Sequence, residues 1–298
     1  MNATELEQRY GVANAVRFEE GPGGLVRAVA RTAQADGVVY LQGAHVASWT
    51  PRGQRPVLFM SSRSVFEAGK PIRGGVPIAF PWFGPRGGGA VGPLHGFARI
   101  LEWSIEGVSE LENGSVEMRF ALTPEEFTRG LGYDGFRLGF RVAFGVSLEM
   151  ELEVRNESRE AFRFEEALHT YFAVGDLGQA SVSGLEGATY IDKTDGFQRK
   201  QQVGAVGIGK ETDRVYLDTK AACVISDPAW QRRIVVEKSG SDSTVVWNPW
   251  VEKTKTLADM APDEWRGMIC VETVNALDNA ATLAAGGSHR MGVAIRVE

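Results

Sequence analysis

The sequence predicts an all-β protein: one large antiparallel β-sandwich with a few short helices, spanning residues 1–298 as a single domain. Three observations predict it. Apolar and polar residues alternate with a period of two over several consecutive segments. No alternation of strands with long amphipathic helices is visible, which disfavours the parallel α/β architectures. The 36 glycines are scattered along the chain, as many tight turns require.

The elements follow in chain order. Thr4–Tyr10 reads as a short helix and Gly37–Leu41 as a strand. Prolines 71, 77 and 81 exclude a central paired strand from the segment 70–84, because proline has no amide to donate. Val116, Met118, Phe120 and Leu122 alternate with polar or small residues. A second short helix is predicted over Pro124–Leu131, with Thr123 as N-cap and Glu126 at the capping-box position. Phe136, Leu138, Phe140, Val142 and Phe144 form the next stripe. Val146, Leu148, Met150, Leu152 and Val154 then face away from Ser147, Glu149, Glu151, Glu153 and Arg155. Each stripe puts one apolar face on a core, and consecutive strands of this kind imply antiparallel sheets. Further strands are predicted in the aromatic-rich stretch Phe162–Phe172 and at Ala180–Ile191, Ala221–Ile225, Arg232–Val236, Thr244–Trp247, Met268–Val274 and His289–Val297.

Composition narrows the function. Lys and Arg sum to 32 and Asp and Glu to 38, so the net charge is 32 − 38 = −6, which argues against a nucleic-acid partner. Apolar residues at 43% are enough to build a core, so wholesale disorder is excluded. No apolar run reaches the ~18 residues of a spanning helix, and the first ten residues do not read as a leader. The expectation is a soluble cytoplasmic protein without a membrane partner, and the acidic surface is compatible with a monomer. Cys223 and Cys270, far apart in apolar segments, read as two buried reduced thiols.

Several motifs invite a chemical reading. Gly204–Lys210 imitates a phosphate loop, but Glu211 stands where a magnesium-ligating hydroxyl belongs, and no helix is predicted after it. The four histidines, His45, His95, His169 and His289, form no helical metal pair and fall in no Cys/His ligand spacing. No nucleophile elbow is present. Neither a metal, another cofactor nor a covalent nucleophile is therefore expected. His169 lies among aromatics, where an imidazole is either a hydrogen-bonded core residue or a titrating group held near neutrality. Glu272 is the most improbable charge in the chain. It lies in a run that is apolar on both pleat faces, where a carboxylate must be paired, neutralised or poised for proton transfer. Arg73, beside two glycines and three prolines, sits on a rigid irregular wall suited to an anion or a sugar. His95 and Arg99, four residues apart across a glycine, suggest the same, although either arginine taken alone also reads as a solvated surface charge.

Together these segments resemble the glucose-6-phosphate 1-epimerases, a branch of the aldose 1-epimerase (galactose mutarotase-like) family. The matching pieces are Gln42–Trp49, Ile72–Pro77 with Pro81–Gly84, His95–Arg99, Leu168–Phe172 with Val174–Asp176, Thr212–Tyr216, Trp247–Pro249 and Cys270–Thr273. Each is weak alone; in order over residues 40 to 275 they are specific. The resemblance implies a sugar groove on one sheet of the sandwich and a sugar phosphate as the partner. It puts the catalytic histidine on His169 and the catalytic glutamate on Glu272, the two residues already singled out. It puts substrate-contacting arginines on Arg73 and Arg99, an aspartate contact on Asp213 and a further sugar contact on His95. Leu94 stands where some relatives carry a glutamine, so that hydrogen bond is not expected here. The implied chemistry is metal-free: Glu272 takes the proton of the C1 hydroxyl, His169 protonates the ring oxygen, and the ring opens, rotates and recloses. Three alternatives stand beside this reading: a mutarotase for unphosphorylated aldoses, a non-catalytic sugar-binding protein, and a glycosidase, for which no second carboxylate opposite Glu272 is legible.

Overall fold

In the computed structural model, which describes all 298 residues, the clearest alternating segments become the middle of a nine-stranded sheet. Phe136–Phe144 pairs antiparallel with both Val116–Leu122 and Leu148–Asn156. Their apolar stripes point inward, while Arg141 reaches Glu117 and Glu149 on the outer face. Such cross-strand charge pairs occupy the solvated side that the pattern reserved for polar residues.

A second, eight-stranded sheet has Met268–Asn275 near its middle, flanked by Ser243–Asn248 on one side and by Glu166–Leu168 and Tyr171–Ala173 on the other. All eight residues of Met268–Asn275 are buried, as a run apolar on both faces requires. The two sheets contribute to one cluster of 62 buried apolar residues, so the protein is an all-β antiparallel sandwich with three short helices. A buried ion pair, Arg232 with Asp227, adds a polar link between sheets. Arg232 leaves the larger sheet and donates to the carbonyl of Ala173 on the other.

The structure corrects the predicted elements in four places, the simplest being Val146, which is exposed in the bend before Leu148 rather than on the buried stripe. The segment Ala180–Ile191 is two strands. Ser181–Ser183 belongs to the nine-stranded sheet and Thr189–Asp192 to the eight-stranded one, and the chain changes sheet at Gly184, whose φ is +99°. The second helix is shorter, Glu126–Gly130, with Glu125 rather than Thr123 as its N-cap. The hydroxyl of Thr128, not a carboxylate, accepts from the Glu125 amide, and Thr123 lies outside the helix, before Pro124. Finally, a four-stranded antiparallel sheet, Val16–Glu20, Val26–Arg31, Ala35–Tyr40 and His45–Pro51, stands where only Gly37–Leu41 was predicted. Its inward positions include Ala28, Ala30 and Ala35, whose small side chains leave little periodic signal. No helix is long and apolar enough to cross a membrane.

Candidate active site

The site is written in the register of the eight-stranded sheet. Leu168 faces Thr273 and Tyr171 faces Cys270, so the two residues between bring His169 opposite Glu272. Residues two apart on a strand share a face, which puts Glu272, Cys270 and Val274 together. Toward one end that face is an apolar patch of Ala167, Ile191, Val215, Val245 and Val274. Toward the other it is polar, and there a cleft is lined by His169, Glu272, Asp213, Lys193, Trp247 and Arg73, with Phe83, Leu94 and His95 from the loops above.

His169 Nδ1 lies 3.4 Å from a Glu272 carboxylate oxygen, and both side chains are almost wholly buried. The imidazole is held on all sides by aromatics. It stacks on Tyr171 at 4.8 Å and meets Trp247 and His95 edge-on. Its amide donates to Pro77 O, which fixes the backbone in the break between the two short strands. Burial raises the Glu272 pKa well above the usual carboxylate range, and Asp213 adds to the effect. Burial also lowers the His169 pKa well below neutrality, helped by the charges of Arg99 and Arg73. Both directions have one meaning: this pocket disfavours net charge on either member. Glu272 Oε2 and His169 Nδ1 are buried without a hydrogen-bond partner, an unsatisfied polar pair at the floor of the cleft.

Glycines shape the cationic wall. Arg73 is followed by Gly74 and Gly75, and a Cβ on Gly75 would lie 2.3 Å from Val46 O. Its φ of +58° suits glycine as well. Thus held, Arg73 donates to the Tyr171 hydroxyl at 2.9 Å and pairs with Asp259 at 3.1 Å. Gly96, with φ +74°, passes so close to Phe80 O that a Cβ would overlap it. It turns the chain so that His95 reaches the cleft. His95 Nδ1 accepts from the Gly84 amide, which leaves the ring proton on Nε2.

Five of the six residues singled out from the sequence line the cleft: Arg73, His95, His169, Asp213 and Glu272. Arg99 does not. It is buried and donates to the carbonyl of Leu94, which does line the cleft, and no carboxylate pairs with it. The sequence reading passed over Lys193, which lines the cleft and holds Asp213 at 2.8 Å, and Asp259, the partner of Arg73. Lys193 follows Ile191 by two, so strand parity alone could have put it on this face; Asp259, in a loop, carries no such signal. Lys253, also unflagged, lines the cleft without an ion-pair partner.

The structure is an all-β sandwich with a buried imidazole–carboxylate pair in a cleft lined by cationic side chains. Residues 30–296 match the aldose 1-epimerase family, and the chain belongs to that family, isomerases that interconvert sugar anomers. It is 38% identical over 260 residues to a protein of Escherichia coli K12 named "Putative glucose-6-phosphate 1-epimerase", covering 86% of this chain and 85% of that one. A plant relative of the same name, from Cenchrus ciliaris, is 34% identical over 284 residues, or 92% of this chain and 85% of that one. Among solved structures, a "putative mutarotase" of Salmonella typhimurium superposes with a TM-score of 0.89 at 34% identity, covering 97% of this chain and 95% of that one. A galactose mutarotase-like protein of Lactobacillus casei shares the fold at 15% identity, with a TM-score of 0.69 over 91% of this chain and 99% of that one.

Proposed function

We propose that the protein interconverts the α and β anomers of hexose 6-phosphates, glucose 6-phosphate first among them, through His169 and Glu272. The observation that carries the phosphate is the set of under-used cations. Arg99 is a buried guanidinium with no carboxylate partner, a costly arrangement unless an anion completes it. Arg73 and Arg99 each keep a buried Nε–H that donates to nothing. A phosphate dianion fits such donors, which a neutral hydroxymethyl group would leave unsatisfied. Arg73 meets it from the cleft wall, Arg99 acts from just behind, and Lys253 closes the mouth. The names of the relatives from Escherichia coli and Cenchrus ciliaris support the same reading. Asp213 and His95 hold sugar hydroxyls.

The reaction needs one proton on the pair. In the free cleft, burial favours the neutral arrangement, with the proton on Glu272. A bound sugar changes that balance: its O1–H donates to the carboxylate and its ring oxygen accepts from the imidazolium. Glu272 then takes the O1 proton while His169 protonates the ring oxygen. The C1–O5 bond breaks, and the aldehyde forms at C1. Rotation about C1–C2 and the reverse transfers give the other anomer. Each group contributes about 10²–10⁴-fold. The test is NMR anomer exchange of glucose 6-phosphate and of glucose on the wild type and on Arg73→Ala. KM for the phosphate ester should rise at least tenfold, with glucose little changed. Equal losses on both substrates would refute the phosphate assignment.

A further inference from the structure

Cys270 takes no part in this chemistry, yet its thiol sits beside both reacting groups. Cys270 and Glu272 are two apart on one strand and share its face, and His169 stands across from Glu272. One ligand atom from each of the three lies within 4.8 Å of the others, and all three residues are buried. No spacing in the sequence announced this cluster, because the sheet register assembles it from residues about a hundred apart. We propose that His169, Cys270 and Glu272 form a binding site for a thiophilic divalent cation of the zinc class, and that its occupation shuts the acid–base pair down.

Three features point to such an ion. The donor set, one imidazole, one thiolate and one carboxylate, is the kind that zinc takes, whereas magnesium and calcium want oxygen alone. Two of the donors, His169 Nδ1 and Glu272 Oε2, are buried without a partner and are available as ligands. Tetrahedral zinc with bonds of roughly 2.0–2.3 Å holds its ligand atoms roughly 3.3–3.8 Å apart, so side-chain rotations that draw the three together by about 1 Å suffice.

The charge balance also suits a buried site. Before binding, the thiol is protonated and the His169–Glu272 pair carries one proton, so the three groups are neutral together. The incoming dication displaces both protons, leaving a thiolate, a carboxylate and a neutral imidazole around it, again neutral together. Arg73 is paired with Asp259 and Lys193 with Asp213, so the cations left to oppose the incoming charge are Arg99 and Lys253. With the metal in place, the dication lowers the basicity of the Glu272 carboxylate, and His169, with one ring nitrogen coordinated, cannot become the imidazolium that protonates the ring oxygen.

The metal site stands on geometry alone; only its inhibitory consequence rests on the proposed function, and the experiment separates the two. Cobalt(II) added to the purified protein should give an intense thiolate-to-metal charge-transfer band and tetrahedral visible bands, abolished by excess zinc and absent from Cys270→Ala and Cys270→Ser. In parallel, zinc should inhibit anomer exchange of glucose 6-phosphate by the wild type, with EDTA restoring it. Both cysteine variants should keep the basal rate and need at least roughly 100-fold more zinc, since even outer-shell losses cost ~10–100-fold in metal affinity. No thiolate band on the wild type, or equal zinc sensitivity of the wild type and both variants, overturns the proposal. A thiolate band on a protein that does not catalyse exchange keeps the site and refutes the function.

Discussion

Replacing Glu272 by Gln removes one proton acceptor while keeping the size and shape of the side chain. Two effects should separate. Anomer exchange of glucose 6-phosphate should fall by about 10²–10⁴-fold, the usual contribution of a positioned acid–base group. Stability should move the other way, and with pH. Folding raises the Glu272 pKa above its ordinary 4.5, so the native state keeps a proton that the unfolded chain has released. The stabilisation from that proton is complete below pH 4.5 and is lost as pH rises toward the folded value, at about 1.4 kcal/mol per pH unit. His169 is shifted downward from 6.5, so its own contribution changes only below that pH. The thiols, ordinarily at 9.0 and raised by burial, stay protonated up to pH 8 in both states. Urea unfolding of wild type and Glu272→Gln at pH 7 and pH 8, followed by tryptophan fluorescence, isolates the glutamate. The variant should gain on the wild type as pH rises, by up to about 1.4 kcal/mol per pH unit while the native state keeps the proton. Parallel pH dependences would refute the claim that burial holds Glu272 protonated, and unchanged exchange kinetics would refute its part in the reaction.

Two further outcomes test the scaffold. Asp227→Ala leaves Arg232 buried without a counter-charge and the Gly175 amide without its acceptor, so it should destabilise the fold by about 3–5 kcal/mol in urea melts; a loss under 1 kcal/mol would show that the pair is dispensable. His289 is held above its ordinary pKa by a hydrogen bond to buried Glu166, so its stabilising effect is complete below pH 6.5 and fades as pH rises through the folded value. His289→Gln should therefore cost more at pH 6 than at pH 9, and an equal cost at both would dismiss the ionic contribution.

How much of this was legible in the chain depends on what each residue's role leaves behind. The stripes at 116–122, 136–144 and 148–156 announce their strands, because one face is buried and one is wet. Glu272 announces itself by being a charge in a run that is otherwise apolar, a local contradiction that only a partner or a function resolves. The N-terminal sheet left no such trace, since alanines fill its inward positions. Nor did the ion pairs of Arg73 with Asp259 and Lys193 with Asp213, whose members meet only through the fold. The uncompensated charge of Arg99 and the company kept by Cys270 are likewise properties of register and burial, which one-dimensional spacing does not encode.

The imidazole and the carboxylate are fastened to neighbouring main chains by the ladder of the eight-stranded sheet, while Arg73, His95 and Lys253 arrive on turns and a one-turn helix outside it. On the proposed function, the sheet carries the proton chemistry and the Asp213 contact, and the turns carry the cationic contacts. Turns can be exchanged without disturbing the register of a central strand, so a descendant of this scaffold could adopt a different sugar by recasting its rim alone, inheriting the proton chemistry intact.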